Sequence, residues 1–167
     1  MADVDIAVIL NEALDDERKA EATYAAIIEQ FGPVRPFINI VDAETRHSRA
    51  IERQMERLGI AVPPNDWIGK GVAPASLVAA CEGAITAEIE NIAIYDRILP
   101  YVQDATARRV LENLRAASRD NHLPAFRRCL AREQGTGGRG REGRGPGGGQ
   151  GQGRRRGRKG DCSGSHN

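Results

Sequence analysis

The chain has 167 residues, a length that suits one domain with a sizeable core, and its formal net charge is only +1. That small value conceals two opposed parts. Residues 1–134 hold 16 basic and 21 acidic side chains, whereas residues 135–167 hold eight basic and two acidic ones. The acidic body argues against a core that binds nucleic acid. No apolar run approaches the roughly 18–20 residues that span a bilayer.

The N-terminus and the cysteines bear on the cellular compartment. The first residues, MADVD, place acids where a secretory signal needs positive charge. Three widely spaced cysteines, Cys81, Cys129 and Cys162, suit neither a disulfide framework nor a zinc ribbon. Cys81 and Cys129 fall in helical patterns, so we expect them to be small buried hydrophobic residues. Together these features predict a cytoplasmic protein that is not bound to a membrane.

Four long segments repeat their apolar residues at helical steps of three and four, and breaks containing Gly or Pro separate them. The predicted helices cover residues 5–31, 37–58, 74–98 and 105–134. The longest connection, residues 60–73 (IAVPPNDWIGKGVA), has the length of a crossover between two helix pairs. Pro124 lies inside the fourth helix and should bend its axis. The sequence therefore predicts an all-α, four-helix bundle over residues 1–134.

Residues 135–167 form a separate predicted segment. They contain 14 of the 19 glycines, repeated arginines and almost no apolar side chains. Such a segment cannot bury enough surface to offset its ordering entropy, so we predict a disordered tail. Two roles stay open for it: a solubilising extension that loosely binds an anionic polymer, and a nucleic-acid-binding arm. The absence of aromatic side chains for stacking favours the first role.

Acidic and histidine side chains interrupt the apolar faces of the predicted helices. Burying a charge costs several kcal/mol unless the charge is paired or bound to a cation. Carboxylates neutralise and bridge hard cations, and imidazoles supply one nitrogen to each, so the pattern predicts a two-metal site in the bundle core. The side chains concerned are Glu17, Glu21 and Tyr24 in the first helix, Glu44 and His47 in the second, Glu88 and Tyr95 in the third, and His122 in the fourth.

The alternation of Glu-x6-Tyr and Glu-x-x-His motifs, with HLPAF at residues 122–126, resembles the ferritin/rubrerythrin superfamily. It is most similar to the short, largely uncharacterised bacterial ferritin-like domain proteins. The resemblance covers roughly residues 5–133 and implies a ferritin-like bundle that binds iron or manganese and acts on oxygen, peroxide or ferrous iron. It further implies metal binding by Glu17, Glu44, His47, Glu88 and His122, and hydrogen-bonding or radical-relay roles for Tyr24 and Tyr95.

Two departures from the superfamily pattern affect the expected site. Arg119 stands where a second Glu-x-x-His motif would place its glutamate, and Asp120 lies about 200° around the helix from His122. We therefore predict that Glu21 supplies the replacement carboxylate and that the two metal positions are not equivalent. Asn91 stands where rubrerythrin-like peroxidases have a further glutamate. A rubredoxin-like Cys-x-x-Cys module is also missing, so the electron donor stays unidentified.

These features favour a di-iron or di-manganese protein of the oxidoreductase type. A non-catalytic module that stores or senses iron is the first alternative, because the missing glutamate could leave one metal position weak. A metal-free structural bundle whose basic tail binds nucleic acid is the second. The many exposed charges on the helices argue against a ferritin-type shell and leave a homodimer open.

Overall fold

The computed structural model describes residues 5–135. Helices are the only regular secondary structure in this part of the chain, as the periodicity of the sequence predicts. Its helices are α1 (Ile6–Phe31), α2 (Phe37–Arg57), α3 (Leu77–Ile98), α4 (Ala105–Ala117) and α5 (Leu123–Glu133). A 3-10 turn at Leu99–Tyr101 follows α3, and a π-helical turn at Ser118–His122 joins α4 to α5. The four predicted helices are confirmed, the fourth being α4 continued through the π turn into α5.

The helix starts follow from side chains that cap the backbone. Asp5, Ser76 and Asp104 each accept a hydrogen bond from a backbone N–H in the first turn of α1, α3 and α4. Such a cap stabilises a helix by about 1 kcal/mol. The cap at Ser76 places the start of α3 at Leu77, three residues later than predicted. The predicted tail from residue 136 onward lies outside the described residues.

The order of the contacts defines the direction of each helix. Along α1, Glu12 pairs with Arg97, whereas Tyr24 bonds to Glu88, so α3 runs antiparallel to α1. The short turn at residues 32–36 makes α2 antiparallel to α1 as well. Helices α2 and α3 therefore run parallel, and the chain between them must travel the length of the bundle. This confirms the predicted crossover.

The crossover, residues 58–76, lies along the outside of α1. The Arg18 guanidinium donates to the carbonyl oxygens of Pro63 and Pro64, at 3.0 and 3.1 Å. Farther along α1, the Gln30 side-chain amide donates to the carbonyl oxygen of Pro74 at 3.0 Å. These bonds satisfy backbone carbonyls of a segment that has no regular hydrogen-bonding pattern, and they hold the crossover against α1.

Gly71 brings the crossover backbone into contact with α1. A Cβ atom at this position would lie 1.9 Å from the carbonyl oxygen of Ala22. We expect Gly71→Ala to lower the free energy of unfolding by about 1–3 kcal/mol, measured by urea denaturation, because the loop must move away. Gly83→Ala is the matched control: its Cβ meets nothing within 4 Å, and it should stabilise α3. Equal stability of Gly71→Ala and the parent would contradict this packing.

Two apolar clusters occupy the two ends of the bundle. The first contains Leu10 and Leu14 of α1, and the second contains Tyr24 of α1 and Phe126 of α5. Between them lies a layer of buried polar side chains from all sides of the bundle. No helix within residues 5–135 has the length and apolar character needed to cross a membrane.

Cys81 and Cys129 form a disulfide in the second apolar cluster, with their Cα atoms 6.1 Å apart. The prediction of buried cysteines is confirmed, but the expectation that their wide spacing disfavours a bridge is wrong. The reason lies in the antiparallel packing of α3 and α5. Cys81 precedes Glu88 by seven residues and Cys129 follows His122 by seven, so both lie two turns from the same polar layer.

Candidate metal centre

The polar layer brings together five of the predicted metal-binding residues. Its members are Glu17 from α1, Glu44 and His47 from α2, Glu88 from α3, and His122 from the end of the π turn. Each of the four helical segments thus contributes at the same depth. The three carboxylates and His122 are buried, and the His47 side chain is 12% exposed. A layer this polar in the middle of a bundle requires compensation of its charge.

The five side chains form two groups that share Glu44. In the His47 group, Nδ1 of His47 lies 3.0 Å from an oxygen of Glu17 and 3.0 Å from Oε2 of Glu44. In the His122 group, Nδ1 of His122 lies 3.1 Å from Oε1 of Glu44 and 3.5 Å from Oε2 of Glu88. Within each group the potential ligand atoms lie within 4.8 Å of one another. Each oxygen of Glu44 therefore serves a different group, as in a carboxylate that bridges two cations.

The unpaired ring nitrogen of His122 indicates that these residues suit a cation. Its Nδ1 is close to the carboxylates of Glu44 and Glu88, but it has no hydrogen-bond partner of acceptable geometry among the described residues. A buried nitrogen of this kind is costly unless a ligand satisfies it. The rings of His47 and His122 stack with centroids 5.4 Å apart and planes 16° apart. Two imidazoles and three carboxylates in this arrangement fit a pair of divalent metal ions.

The two tyrosines bond to the outer carboxylates reciprocally. The Tyr95 hydroxyl donates to Oε1 of Glu17 at 2.5 Å, and the Tyr24 hydroxyl donates to Oε1 of Glu88 at 2.9 Å. Because α1 and α3 are antiparallel, the tyrosine of each Glu-x6-Tyr motif meets the glutamate of the other motif. Burial, with the nearby carboxylates, raises the pKa of both tyrosines well above 10. Both therefore stay protonated and fix the outer carboxylates by donating to them.

Burial and mutual charge shift the pKa values of the acids and histidines. Burial raises the pKa of Glu17, and the charge of Glu44 raises it further. Burial opposes ionisation of Glu44 as well, but the neighbouring imidazoles of His122 and His47 outweigh it and lower its pKa. Burial would lower the pKa of each histidine, yet the flanking carboxylates raise that of His47 to about 9 and that of His122 to about 10. In the metal-free protein both imidazoles are therefore protonated at neutral pH, and their positive charges compensate the buried carboxylates.

The π turn at Ser118–His122 sets the position of His122. The backbone N–H of Leu123 donates to the carbonyl oxygen of Ser118, five residues earlier. Pro124 lies just beyond this turn and cannot donate a helical hydrogen bond, which accounts for the irregular turn here, and the bend of the axis stays a prediction. Arg119 and Asp120 are exposed and pair with each other at 2.8 Å. Neither side chain enters the polar layer. No carboxylate of this segment therefore replaces the glutamate that a second Glu-x-x-His motif would have in place of Arg119.

Glu21 is the predicted ligand that the structure does not bring into either group. Its carboxylate accepts a hydrogen bond from the Thr45 hydroxyl at 2.8 Å, and it lines a cavity beneath the crossover. One turn beyond Glu17, the side chain has left the polar layer and faces α2 on the side of the crossover. Glu21 is therefore in neither candidate group, and its role as the replacement carboxylate stays a prediction.

Sequence reasoning missed two residues beside Glu17. The side-chain amide of Asn91 donates to Asp16 at 2.8 Å and to Oε1 of Glu17 at 3.2 Å. Burial raises the pKa of Asp16 to about 6. Asn91 was visible only as a departure from a family pattern, and Asp16 only as the neighbour of Glu17. Their link depends on the packing of α1 on α3, which neither local pattern indicates.

No family model, curated protein or solved structure matches this chain. The character of the site therefore rests on its own geometry. The site contains three buried carboxylates and two imidazoles. Two tyrosine hydroxyls donate hydrogen bonds to the two outer carboxylates.

Proposed function

We propose that this chain is a ferritin-like protein that binds two iron or manganese ions and acts on oxygen, peroxide or ferrous iron. The observation that carries the proposal is the position of Glu44, whose two oxygens each face a different carboxylate–histidine group. One ion would be held by Glu17, Glu44 and His47, and the other by Glu44, Glu88 and His122.

The connectivity of the bundle supports the ferritin-like assignment. Two antiparallel helix pairs joined by one long crossover are the arrangement of ferritin-like folds. In such bundles the metal ligands project inward from all four helices near the middle of their length. The polar layer between the two apolar clusters occupies the corresponding position.

The charge of the site supports chemistry with a small anion. Three carboxylates against two divalent cations leave one positive charge, whereas a symmetric site with four glutamates would be neutral. The remaining charge favours an additional anionic ligand, such as hydroxide or peroxide. Bound metal would supply redox chemistry, and Tyr24 and Tyr95 would hold the outer carboxylates in place by donating to them.

Elemental analysis of the purified full-length chain tests the proposal. After expression in medium supplemented with iron, and separately with manganese, we expect two ions per chain, one for each group. The preferred metal should emerge from expression with both present. Fewer than about half an ion per chain in both media would contradict metal binding by these groups.

A second candidate function is iron binding without turnover, as in a storage or sensing module. The exposure of Arg119 favours it, because the site lacks a second shared carboxylate and should hold both ions less tightly than a site with four glutamates. Stopped-flow mixing of the ferrous protein with oxygen and with peroxide separates the two functions. Oxidation within seconds indicates an enzyme, and oxidation over minutes indicates a binding module.

A further inference from the structure

A cleft of about 360 Å³ lies between α1 and α3 and opens to solvent on one side. Glu44, Glu88 and Tyr24 form part of its lining, so a molecule in the cleft would lie beside the two groups. The volume falls in the lower part of the range of small-molecule sites, about 300–1,000 Å³. Oxygen or peroxide alone would leave most of this space unused.

The cleft exists because small side chains face each other across the two helices. With a methyl group or a hydrogen at these positions, α1 and α3 leave a gap that larger residues would fill. The walls are consequently apolar over most of their area. The small residues are Ala20 of α1 and Ala80, Gly83, Ala84 and Ala87 of α3.

Asn91 lines the cleft and carries an unpaired hydrogen-bond acceptor that is buried behind the cleft surface. The residue is 7% exposed, and its Nδ2 is occupied by Asp16 and Glu17. Its Oδ1 has no hydrogen-bond partner within residues 5–135. Exchanging the amide atoms would set this oxygen against two carboxylates, so the chemistry fixes the orientation. This oxygen has less than 1 Å² of accessible surface, so a molecule in the cleft would contact the apolar walls rather than the unpaired acceptor.

The charged residues of the lining select against anions. Asp16 and Glu90 join Glu44 and Glu88, and the lining contains one basic side chain, Lys19. With two metal ions bound, the single positive charge of the centre favours hydroxide or peroxide on the metals themselves, whereas the mouth of the cleft still carries more acid than base. A carboxylate or phosphate ligand would therefore be repelled there. A neutral molecule is favoured.

From these observations we propose that the cleft is the substrate site of the metal centre, and that its substrate is a small, neutral, largely apolar molecule. The molecule would occupy the space between the small side chains. This inference rests on the proposed function, because Glu44 and Glu88 of the metal centre line the cleft.

Binding of 2-phenyl-2-propanol to the full-length chain, followed by titration calorimetry, tests the proposal. The compound has an apolar body and one hydroxyl, and it is not an oxidant. We expect Gly83→Leu together with Ala87→Leu to weaken binding by about tenfold or more, because both positions line the cleft. Ala93→Leu is the matched control, since it adds the same side chain on the exposed face of α3 and should bind like the parent. Cumene, which lacks the hydroxyl, should bind the parent with similar affinity, because the apolar walls supply the contacts.

Gly83→Leu alone guards against a folding defect, because a Cβ at this position meets nothing within 4 Å. It should keep the helical content of the parent and still weaken binding. Metal content is measured on every sample, so that the two proposals fail separately. A metal-loaded parent that binds neither probe, or equal binding by the cleft variants, overturns the substrate site and leaves the metal centre intact. A parental dimer that the cleft variants dissociate would instead identify the cleft as an interface, and would also overturn it. Absence of metal from the parent overturns the proposed function itself.

Discussion

Replacing Glu44 with glutamine is expected to abolish binding of both proposed metal ions, whereas replacing an outer glutamate should abolish binding of one. Glu44 is the residue that the two groups share, and each of its oxygens faces a different histidine. Glutamine keeps the size of the side chain but loses the negative charge and one acceptor oxygen. We therefore expect metal content to fall from two ions per chain to nearly none in Glu44→Gln, and to about one in Glu17→Gln or Glu88→Gln.

Glu21→Gln is the matched control for this series. Glu21 lies on the same helix as Glu17, but its carboxylate bonds to Thr45 and belongs to neither group. This variant should keep two ions per chain, measured by elemental analysis of samples with unchanged helical circular dichroism. Full metal content in Glu44→Gln would contradict a shared bridging carboxylate. Loss of metal in Glu21→Gln would instead support the prediction from the sequence that Glu21 is a metal ligand.

The sequence predicted the helices well because each carries its own start and stop signals. Apolar spacing defined the inward faces, and a connection too long for a simple turn indicated that two helices run parallel. The path of the crossover was not predictable. It depends on Arg18, which reaches backbone carbonyls more than 40 residues away, and on the close contact of Gly71 with Ala22. Contacts of this kind leave no local periodic pattern.

Much of the candidate site was predictable for the same reason. A buried acid or histidine on an apolar face stands out within a single helix, and five of the six predicted ligands lie in the polar layer. Glu21 lies outside the polar layer, because helical spacing locates a side chain only to within a turn and a face. Asp16 and Asn91 were missed because they lie on different helices, 75 residues apart in the sequence, and only the packing of these helices brings them together. The disulfide was missed for the same physical reason.

The stability of the metal-free protein is expected to fall as the pH rises through about 9 and about 10. These are the pKa values of His47 and His122 in the folded chain, both raised from an ordinary value of 6.5. The folded state holds these protons more tightly than the unfolded state, so their contribution is complete below pH 6.5 and is lost above the raised pKa values. Asp16, with its pKa raised to about 6, acts in the same direction at lower pH. Since one pKa unit corresponds to about 1.4 kcal/mol, the total loss should reach several kcal/mol.

Urea denaturation of chelator-treated protein at several pH values between 6.5 and 10.5 measures this loss. The control is the double variant His47→Gln, His122→Gln, whose stability should vary much less over the same interval because the titrating imidazoles are gone. Metal-loaded protein should also vary less, since a metal ligand is a neutral imidazole and the cation replaces the proton. Loading at pH 7 should accordingly release up to about two protons per chain, detectable by calorimetry in buffers of different ionisation enthalpy. Constant stability of the metal-free protein up to pH 10 would mean that the carboxylates do not keep the histidines protonated. The raised pKa values of His47 and His122 would then be incorrect.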